Sequence, residues 1–343
     1  MTKKTSSRKN IHLDLARRND AQADIGCDWD RIRLTHNALP ELDFETVDLS
    51  AHFLGKSLTM PMMIGAMTGG TDRADSVNRS LAEAAQEHHI GLAVGSQRAG
   101  LEEHRQDPDL RRIAPDIPII GNLGGVQLAK PDGIDLAVRA VDTLEADAIT
   151  IHLNPLQELA QPEGDSDWRG IEDAIGHLSR RLPCPVLVKE VGAGLSSEVV
   201  GRLSAQGITY VEIAGLGGTN WTRIETMRRD NDRQDIMTPF LDWGNTTLDS
   251  LIRISEDHPS MRIIASGGIK NGLHAAKALW LGAEMVAAAG PFLQQIEDDK
   301  AMITPLRLKQ FLMDWKTQMK MTLFLTGSPN ISAFRRAEGI VSI

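Results

Sequence analysis

The sequence predicts an α/β protein built as a TIM-type (β/α)8 barrel, and two features of the chain lead to that prediction. From residue 61 onward, short apolar runs alternate with stretches that repeat alanine and leucine at helical spacing. There are eight such runs, and strands buried on both faces of a parallel sheet are expected to be this continuously apolar. The regular alternation favours a closed barrel over the alternative, an open doubly wound sheet.

The eight apolar runs follow one another at regular intervals along the chain. They are the segments 61–67, 90–96, 117–123, 147–153, 185–191, 209–215, 262–268 and 284–290. Intervening stretches such as NRSLAEAAQEHH and GLHAAKALWLGA have the spacing of amphipathic helices. Each run is therefore expected to be a barrel strand, and each stretch between two runs a helix.

Two segments lie outside this alternation. Residues 1–60 are polar with a basic opening, and we expect them to form an N-terminal extension that contributes to the substrate site. Residues 61–343 are expected to form the barrel and a C-terminal helical tail. Residues 220–246 form a polar insert after the sixth strand, predicted as a long loop. Because barrel chemistry lies at the carboxyl ends of the strands, a loop there is expected to be functional.

Composition excludes several classes of function. A net charge of −9 makes the chain a poor nonspecific binder of nucleic acid or of anionic membranes. No apolar run approaches the ~18–20 residues that a membrane helix needs, and the opening lacks the apolar core of a secretion signal. Cys27 and Cys184 are too far apart for a disulfide framework or a cysteine metal motif. We therefore expect a cytoplasmic protein without nucleic-acid or membrane partners.

The ends of the last two predicted strands are rich in glycine. Gly267 and Gly268 follow the seventh strand and Gly290 follows the eighth, where barrels commonly bind phosphate through backbone N–H groups. The alternative is that these glycines only satisfy turn geometry. Two such turns together favour a phosphate site, which is typical of flavin-binding barrels, and Lys270 can add positive charge to it.

A lysine ends the fifth predicted strand. Lys189 shares a strand face with Leu187, so its side chain is expected to point into the barrel mouth. A buried ammonium is unfavourable unless an anion meets it. Reduced flavin, which is negatively charged near N1 and O2, is one such partner. The alternative is an internal ion pair with Glu190 or Glu212.

Polar side chains cluster where the fourth predicted strand ends. Thr150, His152 and Asn154 share one strand face, and Gln157 and Glu158 follow at once. His152 alone would more often be a core histidine, and Glu158 alone would more often stabilise a helix start. Together they predict a site for an anionic ligand, in which Glu158 binds Mg²⁺ together with phosphate oxygens.

Basic residues elsewhere remain open to two interpretations. Arg98, after the second predicted strand, is a candidate anion contact or an ordinary surface arginine. Arg8, Lys9 and His12 form a cationic cluster near the N-terminus, and composition alone favours a solvated basic tail.

The motifs together resemble a known family, the type 2 isopentenyl-diphosphate isomerases, which depend on flavin. The matching segments are SRKNIHL, AMTGGT, VGSQRA, GNLGG, IHLNPLQE, VLVKEVGAGLS, AGLGGTNW, LDWGNTT and ASGGIKNGLHAAKALWLGA. HLNPLQE, GGTNW and the opening RK pair are the more specific of these, whereas SGGI and VKE occur widely among flavin barrels. The resemblance implies interconversion of isopentenyl and dimethylallyl diphosphate in isoprenoid biosynthesis.

The resemblance also implies cofactors, assembly and residue roles. It implies FMN that is active when reduced, NAD(P)H as reductant, Mg²⁺ on the diphosphate, and a homo-oligomer, tetrameric or larger. The residues implied in FMN binding are Ala66, Met67, Thr68, Ser96, Asn122, Lys189, Thr219, Gly267, Gly268, Ala289 and Gly290. Those implied in substrate binding are Arg8, Lys9, Arg98, His152, Asn154 and Gln157, with Gln157, His152 and Lys189 catalytic and Glu158 as the metal ligand.

Two alternatives remain at this point. One is an FMN-dependent oxidase or dehydrogenase of 2-hydroxy acids, which shares the SGGI region but needs a base histidine before a Gly-Gly pair after the sixth strand. Here that stretch reads AGLGGTN and has no histidine. The other is an isomerase relative that acts on a different prenyl diphosphate.

Overall fold

The computed structural model describes residues 3–67, 69, 72–102, 109–229, 236–295 and 305–342. In chain order the strands are β1 (Ile32–Leu34), β2 (Ala51–Phe53), β3 (Lys56–Leu58), β4 (Met62–Ile64), β5 (Gly91–Ala93), β6 (Ile119–Gly124), β7 (Ala148–Leu153), β8 (Val186–Glu190), β9 (Tyr210–Glu212), β10 (Arg262–Ala265), β11 (Met285–Ala288) and β12 (Gly339–Val341). Strands β4 to β11 pair in parallel in chain order, and β11 returns to pair with β4. The predicted closed barrel is confirmed.

Helices connect the barrel strands and cover their outer face. The helices are α1 (Lys3–Ala16), α2 (Asp72–His88), α3 (Arg98–Glu102), α4 (Leu110–Ile113), α5 (Gly125–Leu128), α6 (Gly133–Leu144), α7 (Pro155–Ala160), α8 (Ile171–Arg181), α9 (Ser197–Ala205), α10 (Trp221–Met227), α11 (Thr247–Asp257), α12 (Gly272–Trp280), α13 (Gly290–Leu293), α14 (Pro305–Leu325) and α15 (Ile331–Phe334). Among the described residues, no helix combines the length and apolar character needed to cross a membrane.

A hairpin closes the amino end of the barrel. Strands β2 and β3 are joined at Leu54 and Gly55, which both have positive φ, as a tight hairpin turn requires. Phe53 and Leu58 from this hairpin pack into the inner barrel core, where Phe53 meets the ring of Tyr210 edge-on at 5.8 Å. Because the amino end is plugged in this way, the open end of the barrel is the carboxyl end.

The two ends of the chain meet on the outside of the barrel. Strand β1 pairs antiparallel with β12, so residues before the barrel are held by residues after it. Helix α14 packs against α12 and α2. Strand β1 could not be recognised in the polar sequence of residues 1–60, because it is short and its partner strand lies far away in the sequence.

Two details differ from the sequence-based expectations. Each barrel strand is shorter than its apolar run, and six of the eight runs continue beyond their strand into the loop at the carboxyl end. The predicted long loop at 220–246 contains helix α10, which begins after Asn220, whose side chain accepts a hydrogen bond from the Arg223 N–H. Residues 230–235 of that insert lie outside the described residues.

Candidate active site

A cavity of about 670 Å³ opens at the carboxyl end of the barrel. It is lined by strand-end loops around the barrel and by the inward face of α1. The predicted site residues that line it are Lys9, Ala66, Met67, Ser96, Arg98, Asn122, His152, Asn154, Gln157, Glu158, Lys189, Thr219, Gly267, Gly268, Ala289 and Gly290. Thr68 and the side chain of Arg8 lie outside the described part of the chain.

One side of the cavity is a glycine cradle, formed by Gly218, Gly267, Gly268 and Gly290. Gly267 and Gly268 have φ values of +99° and +67°, a region that side chains disfavour. A Cβ on Gly267 would lie 2.1 Å from the carbonyl oxygen of Gly215, and one on Gly218 would lie 2.8 Å from the nitrogen of Gly268. The glycines therefore let the loops after β9 and β10 pack backbone against backbone.

The same arrangement leaves backbone and small groups facing the cavity. The N-terminal residue of α13, Gly290, lies beside the hydroxyl of Thr219, which a Cβ on Gly290 would approach to 3.2 Å. Thr247 fixes the neighbouring loop, because its hydroxyl lies 2.8 Å from the carbonyl oxygens of both Ser266 and Gly267. A bare backbone surface of this kind suits the close approach of a phosphate group.

Lys189 lies on the floor of the cavity without a carboxylate partner. Its side chain is 7% exposed, and Nζ donates to the carbonyl oxygen of Glu190 at 2.6 Å. The Glu190 carboxylate instead accepts the backbone N–H groups of residues 191–194 at 2.5–3.1 Å. Among the described residues, no carboxylate lies within ion-pair distance of Lys189, so the alternative of an internal ion pair is wrong.

Glu212 is the other carboxylate considered as an ion-pair partner of Lys189. It is buried and hydrogen-bonds with Ser266. One carboxyl oxygen, Oε1, accepts the Ser266 hydroxyl at 2.8 Å, whereas Oε2 is buried without a partner. Burial raises the pKa of Glu212, against the opposing charge of Lys189. The hydrogen-bonded oxygen of Glu212 is thus directed to Ser266 and not to Lys189.

On the side opposite the cradle, a polar wall is formed by Asn122, His152, Asn154, Gln157 and Glu158. The Asn122 amide donates to the carbonyl of Val94 at 3.0 Å, so its oxygen faces His152 Nδ1 at 2.7 Å. His152 therefore carries its hydrogen on Nδ1 and leaves Nε2 as an acceptor.

The imidazole of His152 is uncharged at neutral pH. Burial and the nearby charges of Lys189, Arg98 and Lys9 lower the pKa of His152 to about 3. Three cations therefore surround a single neutral ring, and an anionic ligand placed among them would stabilise each of their charges.

The remaining members of the polar wall orient one another. The Asn154 amide donates to Gln157 Oε1 at 3.2 Å and to Glu158 Oε1 at 3.0 Å. The other oxygen of Glu158 accepts the N–H of Asp165 at 2.8 Å. Glu158 is thus a fixed carboxylate at the cavity edge, which fits one protein ligand of a Mg²⁺ ion that otherwise takes phosphate oxygens and water.

The N-terminal segment closes over the polar wall as helix α1. Lys9 donates to the carbonyl oxygens of Gly69 and Ser96, the latter at 3.4 Å. His12 lies one turn further along, 3.0 Å from Glu225, and meets the ring of Trp221 edge-on. The solvated-tail interpretation is therefore wrong for Lys9 and His12.

Glu225 is a residue at the site that the sequence analysis missed. It is fully buried on α10, and its carboxylate accepts the Gln157 amide at 3.2 Å. Burial raises the pKa of Glu225, but the hydrogen bond from His12 and the charges of His12 and Arg228 outweigh this and lower it. The one available signal was the spacing of Trp221 and Glu225, which places both on one face of a helix.

Comparisons with known proteins agree with this geometry. Residues 141–339 match the family described as FMN-dependent dehydrogenase. An isopentenyl-diphosphate delta-isomerase from Pseudescherichia vulneris is 45% identical over 96% of this chain and 95% of its own length. Isomerases of the same name from Xanthobacter autotrophicus and Nostoc are 43% and 39% identical, over 96% and 97% of this chain and 96% and 95% of their own lengths.

Solved structures with the same fold are more distant in sequence. A soluble mutant of the membrane-associated (S)-mandelate dehydrogenase from Pseudomonas putida superposes with a TM-score of 0.67 at 18% identity, covering 97% of this chain and 91% of that one. A lactate oxidase structure from Pediococcus acidilactici has a TM-score of 0.67 at 14% identity, covering 97% and 87%. At these identities the likeness establishes the barrel fold alone.

Proposed function

Because the chain belongs to the family of isopentenyl-diphosphate delta-isomerases, we propose that it interconverts isopentenyl and dimethylallyl diphosphate with FMN bound in the cavity of the barrel. The observation that carries the proposal is the division of that cavity. It has a side-chain-free glycine cradle on one side and three cations around a polar wall on the other. One ligand phosphate thus has a backbone site, and a second anionic group has a separate side-chain site.

The residues present fit FMN. Gly218, Gly267, Gly268 and Gly290 all line the cavity, so the cradle offers a phosphate backbone without side chains. Lys189, which has no carboxylate partner in the part of the chain that the structure describes, fits the negative charge of a reduced flavin ring. When bound in its reduced form, FMN supplies the group that exchanges a proton with the allylic substrate. Ala66, Met67, Ser96, Asn122, Thr219 and Ala289 would contact it, and Thr68 is proposed from the resemblance.

The substrate diphosphate is assigned to the polar wall and the α1 side of the cavity. Lys9 and Arg98 would neutralise its charge, and Asn154 and the neutral His152 would hydrogen-bond it. Arg8 belongs to this set by the resemblance. Glu158 fits Mg²⁺, because a carboxylate oriented by two hydrogen bonds presents a hard oxygen ligand beside the diphosphate site.

Gln157 would position the reacting end of the substrate. Its amide is held from both sides, by Asn154 at 3.2 Å and by Glu225 at 3.2 Å, so its orientation is defined before substrate binds. His152 is uncharged at neutral pH because its pKa is about 3, and the pKa of Glu225 is lowered, so neither side chain is suited to donate a proton to an alkene. The side chains therefore bind, orient and exclude water, and binding of the remote diphosphate helps to place the alkene.

From the family resemblance we also infer that NAD(P)H reduces the flavin, that the chain forms a homo-oligomer of four or more copies, and that it acts in the cytoplasm. One local feature disfavours the alternative function, oxidation of 2-hydroxy acids. The loop after β9 carries Ala214, Gly215, Leu216, Gly217 and Gly218, and no histidine that could take a proton from a hydroxy acid.

The experiment is anaerobic turnover of isopentenyl diphosphate in D₂O, followed by NMR, with FMN, Mg²⁺ and NADPH or dithionite. We expect deuterium-bearing dimethylallyl diphosphate only when the flavin is reduced. A folded, FMN-loaded protein that forms no product would overturn the substrate assignment, and longer prenyl diphosphates and 2-hydroxy acids would then be assayed.

A further inference from the structure

A second group of ligating side chains lies outside the cavity, behind the loop that carries Gly267 and Gly268. Cys27, Asp30 and His274 bring one thiol, one carboxylate and one imidazole together, with all three ligating atoms within 4.8 Å of one another. The thiol of Cys27 lies 3.7 Å from His274 Nε2, although the residues are 247 positions apart. We propose that these three side chains bind a zinc ion.

Local structure places two of the ligands on one face. Residues Asp28–Arg31 form a single 3₁₀ turn that begins after Cys27. Side chains three positions apart lie above one another in such a turn, so the side chains of Cys27 and Asp30 point the same way. The N–H of Asp30 closes the turn by donating to the carbonyl of Cys27 at 3.0 Å.

The third ligand comes from helix α12. His274 lies in its first turn, where the backbone N–H donates to the capping side chain of Asn271 at 2.8 Å. The imidazole is 8% exposed and stacks on Trp29, the residue before Asp30, at 6.3 Å between ring centroids. The ring is therefore held against the 3₁₀ turn by packing, independently of any metal.

The distances suit zinc. Zinc binds cysteine sulfur at about 2.3 Å and histidine nitrogen at about 2.0 Å, which at a tetrahedral angle separates the two ligand atoms by about 3.5 Å. The observed separation of 3.7 Å is close to that value. Thiolate, imidazole and carboxylate together form the donor set of a borderline-soft ion, whereas Mg²⁺ takes oxygen ligands. Since Asp30 is exposed, water can reach the fourth position.

Charge and hydrogen bonding are compatible with the ion. A thiolate and a carboxylate balance a divalent cation, and Lys277 beside them is held by the carbonyl of Trp29 at 2.7 Å. The other imidazole nitrogen, Nδ1, accepts the backbone N–H of Lys270 at 3.4 Å. Burial and the charge of Lys277 lower the pKa of His274, against the charge of Asp30 and a hydrogen bond with the Gly268 backbone. When Nε2 binds metal, Nδ1 carries the hydrogen, so the weak contact with the Lys270 N–H is lost.

The test is a titration of the full-length, FMN-loaded protein with Co²⁺, a spectroscopic substitute for zinc, under a phosphine reductant. We expect one Co²⁺ per chain, a thiolate-to-cobalt charge-transfer band in the difference spectrum, and displacement by one equivalent of Zn²⁺. Cys27→Ser should abolish the band, and His274→Gln and Asp30→Asn should weaken Co²⁺ binding at least about tenfold. Cys184→Ser is the matched control, because Cys184 is the only other cysteine and lies outside the cluster.

Two outcomes would overturn the proposal. One is a wild-type titration without a charge-transfer band, and the other is a band that persists in Cys27→Ser. A second measurement, the melting temperature, does not depend on the charge-transfer band. Zn²⁺ should raise the melting temperature of the wild type and of Cys184→Ser, because an ion that binds only the folded chain stabilises it, and it should not raise that of Cys27→Ser. An equal rise in Cys27→Ser would contradict the site, and FMN content reports whether each variant is folded.

Discussion

The glycine cradle and the polar wall face each other across one cavity but are built in opposite ways. The cradle is made of backbone, with Gly267 and Gly218 packed so closely that no side chain fits. The polar wall is made of side chains whose orientation depends on other side chains, as His152 depends on Asn122 and Gln157 depends on Glu225. The cradle therefore depends on close packing of backbone between loops, whereas the polar wall depends on hydrogen bonds between side chains.

This difference predicts different effects for substitutions in the glycine cradle and in the polar wall. A change in the cradle should affect folding and cofactor retention together, because its residues serve both. A change in the polar wall should leave the fold intact and alter charge, proton binding or metal affinity, because its side chains project into a cavity that the barrel already forms.

The largest effect is expected from Gly267→Val. Its Cβ would lie 2.1 Å from the Gly215 oxygen at a φ of +99°. Backbone strain and overpacking together should lower the free energy of unfolding by on the order of 3 kcal/mol or more. Purified protein should also contain little FMN. Urea unfolding and flavin absorbance measure the two effects.

The matched control for this change is Gly170→Val. Gly170 also has a positive φ, +77°, but nothing lies within 4 Å of its Cβ position. It should lose only the strain energy, about 1–2 kcal/mol, and keep its FMN. If both variants retained FMN equally, the cradle would not be the phosphate site.

Lys189→Met should lower turnover about 100-fold, equivalent to ~2.7 kcal/mol, because it removes the positive charge that we propose faces the reduced flavin. The flavin midpoint potential should fall as well, by at least about 30 mV. Lys130→Met removes an exposed lysine that also lines the cavity, where it pairs with Asp165 at 3.9 Å, and should change turnover by less than about threefold. An unchanged potential in Lys189→Met would remove Lys189 from the flavin site.

His152 should make stability depend on pH. Its pKa is about 3 in the folded protein against 6.5 ordinarily, so the unfolded chain binds more protons between these values. The stabilisation is complete above pH 6.5 and is lost as the pH falls towards 3. Between pH 6.5 and pH 5 the wild type should lose about 2 kcal/mol more than His152→Gln does. Parallel urea titrations of both proteins test this, and identical pH profiles would show that His152 is not the titrating group.

The smallest effect is expected for Glu158→Gln. The Mg²⁺ concentration for half-maximal activity should rise about tenfold, with near-normal turnover at saturating Mg²⁺. Glu163→Gln is the control, since Glu163 also lines the cavity but pairs with Arg228 at 3.0 Å. An unchanged Mg²⁺ profile in Glu158→Gln would place the metal elsewhere.

The same contrast explains what could be predicted from the sequence. The barrel and the cradle follow from local patterns, since apolar runs and Gly-Gly pairs carry their own geometry. The fixed orientation of Gln157 could not be predicted, because it depends on Glu225, whose partner His12 lies more than 200 positions away on α1. The pairing of β1 with β12 was missed for the same reason. The position of Lys189 in the barrel mouth was predicted correctly. The sequence could not exclude Glu190 as its ion-pair partner, because only the structure shows that the Glu190 carboxylate accepts four backbone N–H groups.

The most direct test of the division between the two halves is a crystal structure of the enzyme with FMN, Mg²⁺ and inorganic diphosphate. We predict the FMN phosphate against Gly267, Gly268 and Gly290, and the diphosphate among Lys9, Arg98 and His152 with Mg²⁺ on Glu158. Diphosphate bound in the glycine cradle, or an FMN phosphate seated among the three cations, would contradict the account.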